Sequence, residues 1–228
     1  MIYFVTGTDT DAGKTVVTAG LLRAAGERSL GIKPIASGCQ VTAVGLRNSD
    51  ALALMAASGM KLPYHQVNPI ALEPAIAPHI AAAQAGTPLS IAMLSEQLPQ
   101  AAMADASLCL VEGAGGWRLP LNFEQTLPQW LQQQQWPVVL VVGMKLGCLN
   151  HALLTAEAIR RDGLQLVGWI ANQVDPQMSC FDANVATLTA MLDAPLLAQV
   201  PHLDDQQQAY RYLVGAADYL LHCEATSA

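Results

Sequence analysis

Charge is scarce in this sequence. Charged residues make up 13% of its 228, about half the share common in soluble domains, so uncharged side chains must cover much of the surface. Glutamine fills that role, in Gln132 to Gln135 and again in Gln206 to Gln208. Basic residues are scarcer than acidic ones, 11 against 18, which leaves a net charge of −7. General binding to nucleic acid or to an anionic membrane needs a basic face, so neither is expected as a partner. Any phosphate must be held locally.

Long apolar runs are missing as well; none approaches the ~20 residues needed to span a bilayer. The start of the chain has no basic segment ahead of its short apolar run. The five cysteines, Cys39, Cys109, Cys148, Cys180 and Cys223, show neither a Cys-x-x-Cys pair nor a repeated spacing. That pattern speaks against a thiolate metal cluster and a disulfide framework. The expectation is a reducing, cytoplasmic location. With no linker and no internal repeat, residues 1–228 are expected to form one domain, and only the tail Glu224 to Ala228 is expected to fray.

What is present begins at the N-terminus. The apolar run Ile2-Tyr3-Phe4-Val5 leads into Gly7-Thr8-Asp9-Thr10-Asp11-Ala12-Gly13-Lys14-Thr15, and Val16 to Leu22 continues with a helix-like pattern. This reads as strand, phosphate loop, helix. Glycine permits the tight turn, so that backbone N–H groups and the helix start surround phosphate oxygens. Lys14 then reaches the β- and γ-phosphates and Thr15 ligates Mg²⁺. Five residues rather than the usual four separate Gly7 from Gly13, and the flanking strand and helix patterns are what sustain the reading.

Apolar, β-branched runs recur at Ile2 to Thr6, near Ile32, and at Leu108 to Glu112, Val138 to Val142, Val167 to Ala171 and Leu196 to Val200. Helix-like stretches separate them. Runs apolar at every position suit a parallel sheet covered on both faces. The expected fold class is therefore α/β, a doubly wound, mainly parallel sheet of the P-loop NTPase type. In such sheets ligands gather beyond the C-terminal ends of the strands. Those positions hold Lys33 to Gly38, Glu112 to Gly116, Gly143 to Gly147 and Asn172. Three of the four lysines, Lys14, Lys33 and Lys145, fall in these loops, which points to an anion site. For Lys145 a plain preference of lysine for loops explains the position as well.

Mg²⁺ needs carboxylates beyond Thr15, and Asp50 and Glu112 are the candidates. Glu112 ends an apolar strand, where an unpaired carboxylate would be costly. Asn48-Ser49-Asp50 also reads as the cap of a helix over Asp50 to Ala57. Gly147-Cys148-Leu149-Asn150 leads into another helix, with Asn150 as a candidate cap. Free N–H groups there could bind a carboxylate, or the helix could simply be capped. Cys148 has no paired basic residue to mark it as a nucleophile. His65, His79, His202 and His222 form no metal-spaced set. Between Asn48 and Gln100 a passage with Pro63, Pro69, Pro74 and Pro78 precedes a helix over Ile80 to Ala85. Substrate-binding insertions have this form, and so do plain connections.

Taken together, these motifs make the chain resemble the dethiobiotin synthetases, ATP-dependent enzymes that close the ureido ring late in biotin synthesis. The resemblance runs from about Tyr3 to Leu203. It rests on Gly-Thr-Asp-Thr-x-x-Gly-Lys-Thr at 7 to 15, Lys-Pro-x-Ala-Ser-Gly at 33 to 38 and Leu-Arg-Asn-Ser-Asp-Ala-Leu-Ala-Leu at 46 to 54. Val-Glu-Gly-Ala-Gly-Gly-Trp at 111 to 117, Lys-Leu-Gly-Cys-Leu-Asn-His-Ala at 145 to 152 and Gly-Trp-Ile-Ala-Asn at 168 to 172 extend it. The five-residue spacing in the loop is this family's own variant.

The resemblance implies ATP and Mg²⁺ as cofactors, with Thr15, Asp50 and Glu112 on the metal. It implies phosphate contacts from Lys14 and from the backbone of Asp11, Ala12, Gly13, Thr15 and Val16. Gly113, Ala114 and Gly115 fall on the nucleotide, and Asn172, Gln173, Pro201, His202 and Leu203 at its base. Lys33 is implied at the reacting carbamate and γ-phosphate, making Lys33 and Lys14 the catalytic pair, with Ser37 on the substrate. Gly147, Cys148, Leu149 and Asn150 are implied to reach the substrate carboxylate of a neighbouring subunit, which makes the protein a homodimer with its substrate site at the interface. The substrates are then 7,8-diaminononanoate and CO₂ or bicarbonate. Asp11-Ala12 stands where glutamate-valine is more usual, Arg118 where an apolar residue is common, and His202 where relatives have tryptophan. The rival reading is a nucleotide-switched regulatory or partition ATPase on a related fold, which the lack of a basic face and of an amphipathic tail disfavours.

Overall fold

The structure, a computed structural model, describes residues 1–223; the expectation about Glu224 to Ala228 lies outside them. The chain opens with β1 (Ile2–Gly7), α1 (Lys14–Ala25), β2 (Ser29–Ile32), β3 (Ile35–Ala36), β4 (Gln40–Thr42), β5 (Gly45–Arg47) and α2 (Ser49–Ala57). It continues through α3 (Tyr64–Val67), β6 (Ile70–Ala71), α4 (Pro78–Gln84), α5 (Ile91–Glu96), α6 (Gln100–Asp105), β7 (Leu108–Gly116) and α7 (Leu127–Gln134). The last third holds β8 (Val138–Met144), α8 (Cys148–Arg161), β9 (Leu166–Gln173), α9 (Phe181–Met191), β10 (Leu196–Val200) and α10 (Tyr210–His222).

Six strands form one parallel sheet in the order β10-β9-β8-β1-β7-β2. Side chains alternate across it. Cys109 and Val111 of β7 and Val138, Leu140 and Val142 of β8 face a core completed by Trp130, Leu131, Ala152, Ile159 and Leu188. Leu108, Leu110, Val139 and Val141 face the opposite core, with Val17, Leu21 and Leu22 of α1 and Leu213 and Leu220 of α10. Each fully buried Val, Leu or Ile among them contributes about 1.5–3 kcal/mol of transfer free energy. Two apolar faces explain why the strand runs show no alternation. The doubly wound α/β fold is thus observed, and β1 lies at its switch point, between β7 and β8, where consecutive crossovers diverge.

Three strands run further than their apolar stretches. β7 continues through Gly113-Ala114-Gly115-Gly116, expected as a loop, and pairs Gly116 with Gly7. Glycine at 113 serves close packing there, since a Cβ would come within 2.7 Å of the Phe4 ring. β8 likewise takes in Gly143 and Met144, and β9 takes in Asn172 and Gln173, which pair with them. The helix expected over Ile80 to Ala85 begins earlier, at Pro78, whose fixed φ suits a first helical position. β3 pairs with β6 and β4 with β5 outside the main sheet. Among the described residues, no helix is long and apolar enough to cross a membrane.

Candidate active site

A cavity of about 1140 Å³ opens at the C-terminal edge of the sheet, over the phosphate loop. Its floor is Asp11, Gly13, Lys14, Thr15 and Val16. Asp11 and Gly13 both take positive φ, 60° and 82°. Gly13 is held closely from the far side: its Cβ, if present, would lie 2.0 Å from Nδ2 of Asn172. That amide donates to the carbonyl of Ala12 at 3.0 Å, tying the end of β9 to the loop. Lys14 opens α1 and its ammonium donates to the carbonyl of Asp9 at 3.0 Å. Burial, with the Lys33 charge adding to it, holds the Lys14 pKa below the ordinary lysine value.

One wall is electrostatic. Lys33, just past β2, donates to Oε1 of Glu112 at 2.6 Å and to the carbonyl of Gly113 at 3.1 Å, and pairs with Asp50 at 3.1 Å. The Thr15 hydroxyl donates to the same Glu112 oxygen at 2.7 Å. Burial works against the Lys33 charge, yet Glu112 and Asp50 outweigh it and hold its pKa above the ordinary value. Oε2 of Glu112 and Oγ of Ser37 are buried without a hydrogen-bond partner among the described residues. Asn48, not Asp50, caps α2, accepting from the N–H of Ala51 at 3.2 Å. Asp50 in the first turn is thereby left to meet Lys33, which decides the ambiguity in Asn48-Ser49-Asp50.

Of the residues singled out from sequence, Lys33, Ser37, Asp50, Ala114, Gly115, Asn172, Gln173, Pro201, His202 and Leu203 also line this cavity. Glu112 and Gly113 sit behind its wall and reach it through Lys33 and Thr15. Ala12 is buried beneath the loop. One reading left open is narrowed and one expectation needs correcting. Lys145, for which the sequence leaves an anion site and a plain loop position equally open, does not line the cavity, as Lys14 and Lys33 do; it pairs with the carboxylate of Asp9 at 3.2 Å. Asn150 caps nothing, because α8 already starts at Cys148 behind Gly147. Gly147, Cys148, Leu149 and Asn150 lie off this chain's cavity, and the Cys148 side chain is buried. Sequence reasoning missed Asn48, Ala75 to Pro78, Arg118, Leu119, Pro120 and Gln206, all lining residues. For Ala75 to Pro78 the Pro-rich passage was the signal.

An AAA domain family model matches residues 2–209. The chain is 54% identical over 210 residues to the ATP-dependent dethiobiotin synthetase BioD of Pseudomonas aeruginosa (strain UCBPP-PA14), across 91% of this chain and 92% of that protein. It is 56% identical to the enzyme of that name from Cellvibrio japonicus, across 88% and 89%. The one from Chromohalobacter salexigens is 50% identical across 96% of each chain. Among solved structures, the fold resembles the MinC:MinD cell division protein complex of Aquifex aeolicus, with a TM-score of 0.62 at 14% identity, covering 100% of this chain and 98% of that one. A ParA family ATPase from Chlorobium tepidum gives 0.55 at 12%, covering 97% and 99%. At such identities the two structures share the fold alone. Identity of half or more with the synthetases, over nine-tenths of each chain, goes further: this chain belongs to the dethiobiotin synthetase family.

Proposed function

We propose that the protein uses ATP and CO₂ to convert 7,8-diaminononanoate to dethiobiotin, releasing ADP and phosphate. The observation that carries this reading is the placement of Lys33. A buried cation, set between Glu112 and Asp50 beside the phosphate loop, adds to Lys14 a second positive charge on the acceptor side. An ATPase that only switches needs no such acceptor group.

One substrate amine attacks CO₂ and loses a proton, giving a carbamate. A carbamate oxygen then attacks the γ-phosphorus, ADP leaves, and a carbamic–phosphoric anhydride results. The second amine attacks the anhydride carbon, phosphate departs, and the ring closes with loss of a proton. No protein nucleophile enters these steps. Lys14 and the backbone from Asp11 to Val16 hold the phosphates, and Lys33 stabilises charge on the carbamate and the transferring group. With Nδ2 of Asn172 already donating to Ala12, its Oδ1 is left to accept from the amino group of a base.

The metal set Thr15, Asp50 and Glu112 supplies hard oxygen donors, and the orphaned Oε2 of Glu112 fits a cation. Mg²⁺ held there would neutralise charge on the transferring phosphoryl group. We further assign Gly147 to Asn150 to the substrate carboxylate of a second subunit. They lie off their own cavity, and beside them Leu146 and Leu154 are 97% and 56% exposed, an apolar surface suited to a homodimer.

The test is mass analysis of the product from ATP, bicarbonate and 7,8-diaminononanoate. Cyclic urea equal in amount to the phosphate released is the expected result. Phosphate release that ignores the diamine overturns the reading in favour of a switching ATPase.

A further inference from the structure

Asp50, in α2, stands on a different piece of chain from Lys33 and Ser37, which flank β3, and no strand pairing of the main sheet links the two. One phenolic oxygen does. Oη of Tyr64 accepts the backbone N–H of Asn48 at 2.7 Å and donates to Oδ1 of Asn68 at 2.8 Å. Nδ2 of Asn68 donates in turn to the carbonyl of Lys33 at 2.7 Å, while the N–H of Lys33 donates to the carbonyl of Val67 at 2.8 Å. On the other side, the Asn48 side chain starts the helix that carries Asp50 and donates to the carbonyl of Ser37 at 3.3 Å. The Arg47 guanidinium covers the Tyr64 ring at 4.2 Å from its centroid.

Asn48 and Asn68 are buried, 7% and 2% exposed. Buried polar groups of this kind must be paired, and a fully satisfied network fixes one arrangement of the backbones it joins. Tyr64 and Asn68 do not line the cavity themselves. Their bonds end on the backbone of Lys33, on the cap of Asp50's helix and, through Asn48, on the backbone of Ser37.

We infer that Tyr64, acting through Asn48 and Asn68, is a positioning residue: its hydroxyl sets the separation of Lys33, Ser37 and Asp50 and keeps the acceptor half of the cavity in register with the phosphate loop. The inference rests on the ring-closing function proposed above. Tyr64→Phe removes the hydroxyl and keeps the ring. A misplacement of reacting groups by about 1 Å can cost up to about a hundredfold in rate.

Steady-state ring formation is measured for the wild-type protein, Tyr64→Phe and Arg47→Leu, beside calorimetric titration of each with ADP. The expected result for Tyr64→Phe is a kcat/KM for the diamine lowered by about tenfold or more, with ADP affinity and stoichiometry unchanged. Arg47→Leu, which keeps the hydroxyl, should match the wild type in both. An unchanged kcat/KM in Tyr64→Phe overturns the inference. So does a loss of ADP sites in parallel with activity, because that marks a merely structural role, and so does an equal defect in Arg47→Leu. Wild-type protein that forms no cyclic urea overturns the ring-closing function itself, and the positioning role falls with it.

Discussion

The Lys33 ammonium and the Glu112 carboxylate meet at 2.6 Å, with side-chain exposures of 4% and 0%. Two charges so withdrawn from water survive only as partners, since either alone would keep its desolvation cost without the compensating attraction. The same pair therefore bears on stability and on the proposed chemistry.

Lys33→Ala leaves Glu112 buried without its cation. The expected cost is about 3–5 kcal/mol, read as a fall in melting temperature on the order of 10 °C. Ring formation should fall by roughly 10² to 10⁴ through lost charge stabilisation. Adding Glu112→Gln to Lys33→Met should recover much of the melting temperature and none of the activity. Recovery of both would remove Lys33 from the mechanism.

Gly13→Ala places a methyl group in a left-handed backbone and against the Asn172 amide. The conformational cost alone is about 1–2 kcal/mol, so ADP affinity should drop by about tenfold or more. Calorimetry that finds wild-type affinity would mean that the loop tolerates a side chain facing Asn172.

Asp9 and Lys145 form a pH-dependent pair with a simple sign. The hydrogen bond from Lys145 is the main cause of an Asp9 pKa below the ordinary carboxylate value. A depressed carboxylate adds stability above its unfolded pKa and loses it as pH falls through the folded one. Both side chains are over a third exposed, so solvent screens the pair. Lys145→Met should lower the melting temperature at pH 7 by no more than about 2 °C, a surface-pair effect. The difference should vanish under acid conditions or in 1 M salt, where about 3 Å of screening length remains. A larger shift, or one that grows in acid, would contradict the pairing.

The thiols should divide by burial. Desolvation pushes Cys109 up to about 12 and raises Cys39, and the Cys148 side chain is buried as well, whereas Cys180 is exposed. Alkylation of the native protein at pH 8 should mark Cys180 and spare those three until denaturant is added. Labelling of Cys148 as fast as Cys180 would put it in an open site.

Local features are legible in the order of the residues. Gly7 to Thr15 is contiguous, so its turn, its lysine and its helix start are all written in nine neighbouring residues. The apolar runs imply a parallel sheet because burial on both faces removes the alternation of a half-exposed strand. The ends of β7, β8 and β9 pass beyond those runs, because strand pairing carries glycine and asparagine along when a neighbouring strand supplies the partners.

Sequence alone determined the phosphate loop, the sheet and, through motif resemblance, the family, since each of these depends on residue type in a fixed local order. Tertiary structure alone decided which charges meet. Lys33 and Glu112 lie 79 positions apart, and Thr15 and Glu112 lie 97 apart. Only the strand order, which sets β7 between β1 and β2, brings their side chains to one point. It also sent Lys145 to Asp9 instead of the cavity, and it set Tyr64, a plain residue in an irregular passage, behind Lys33. A hydrogen bond between distant residues leaves no periodic trace in a sequence, because its partner is chosen by the packing of the whole chain.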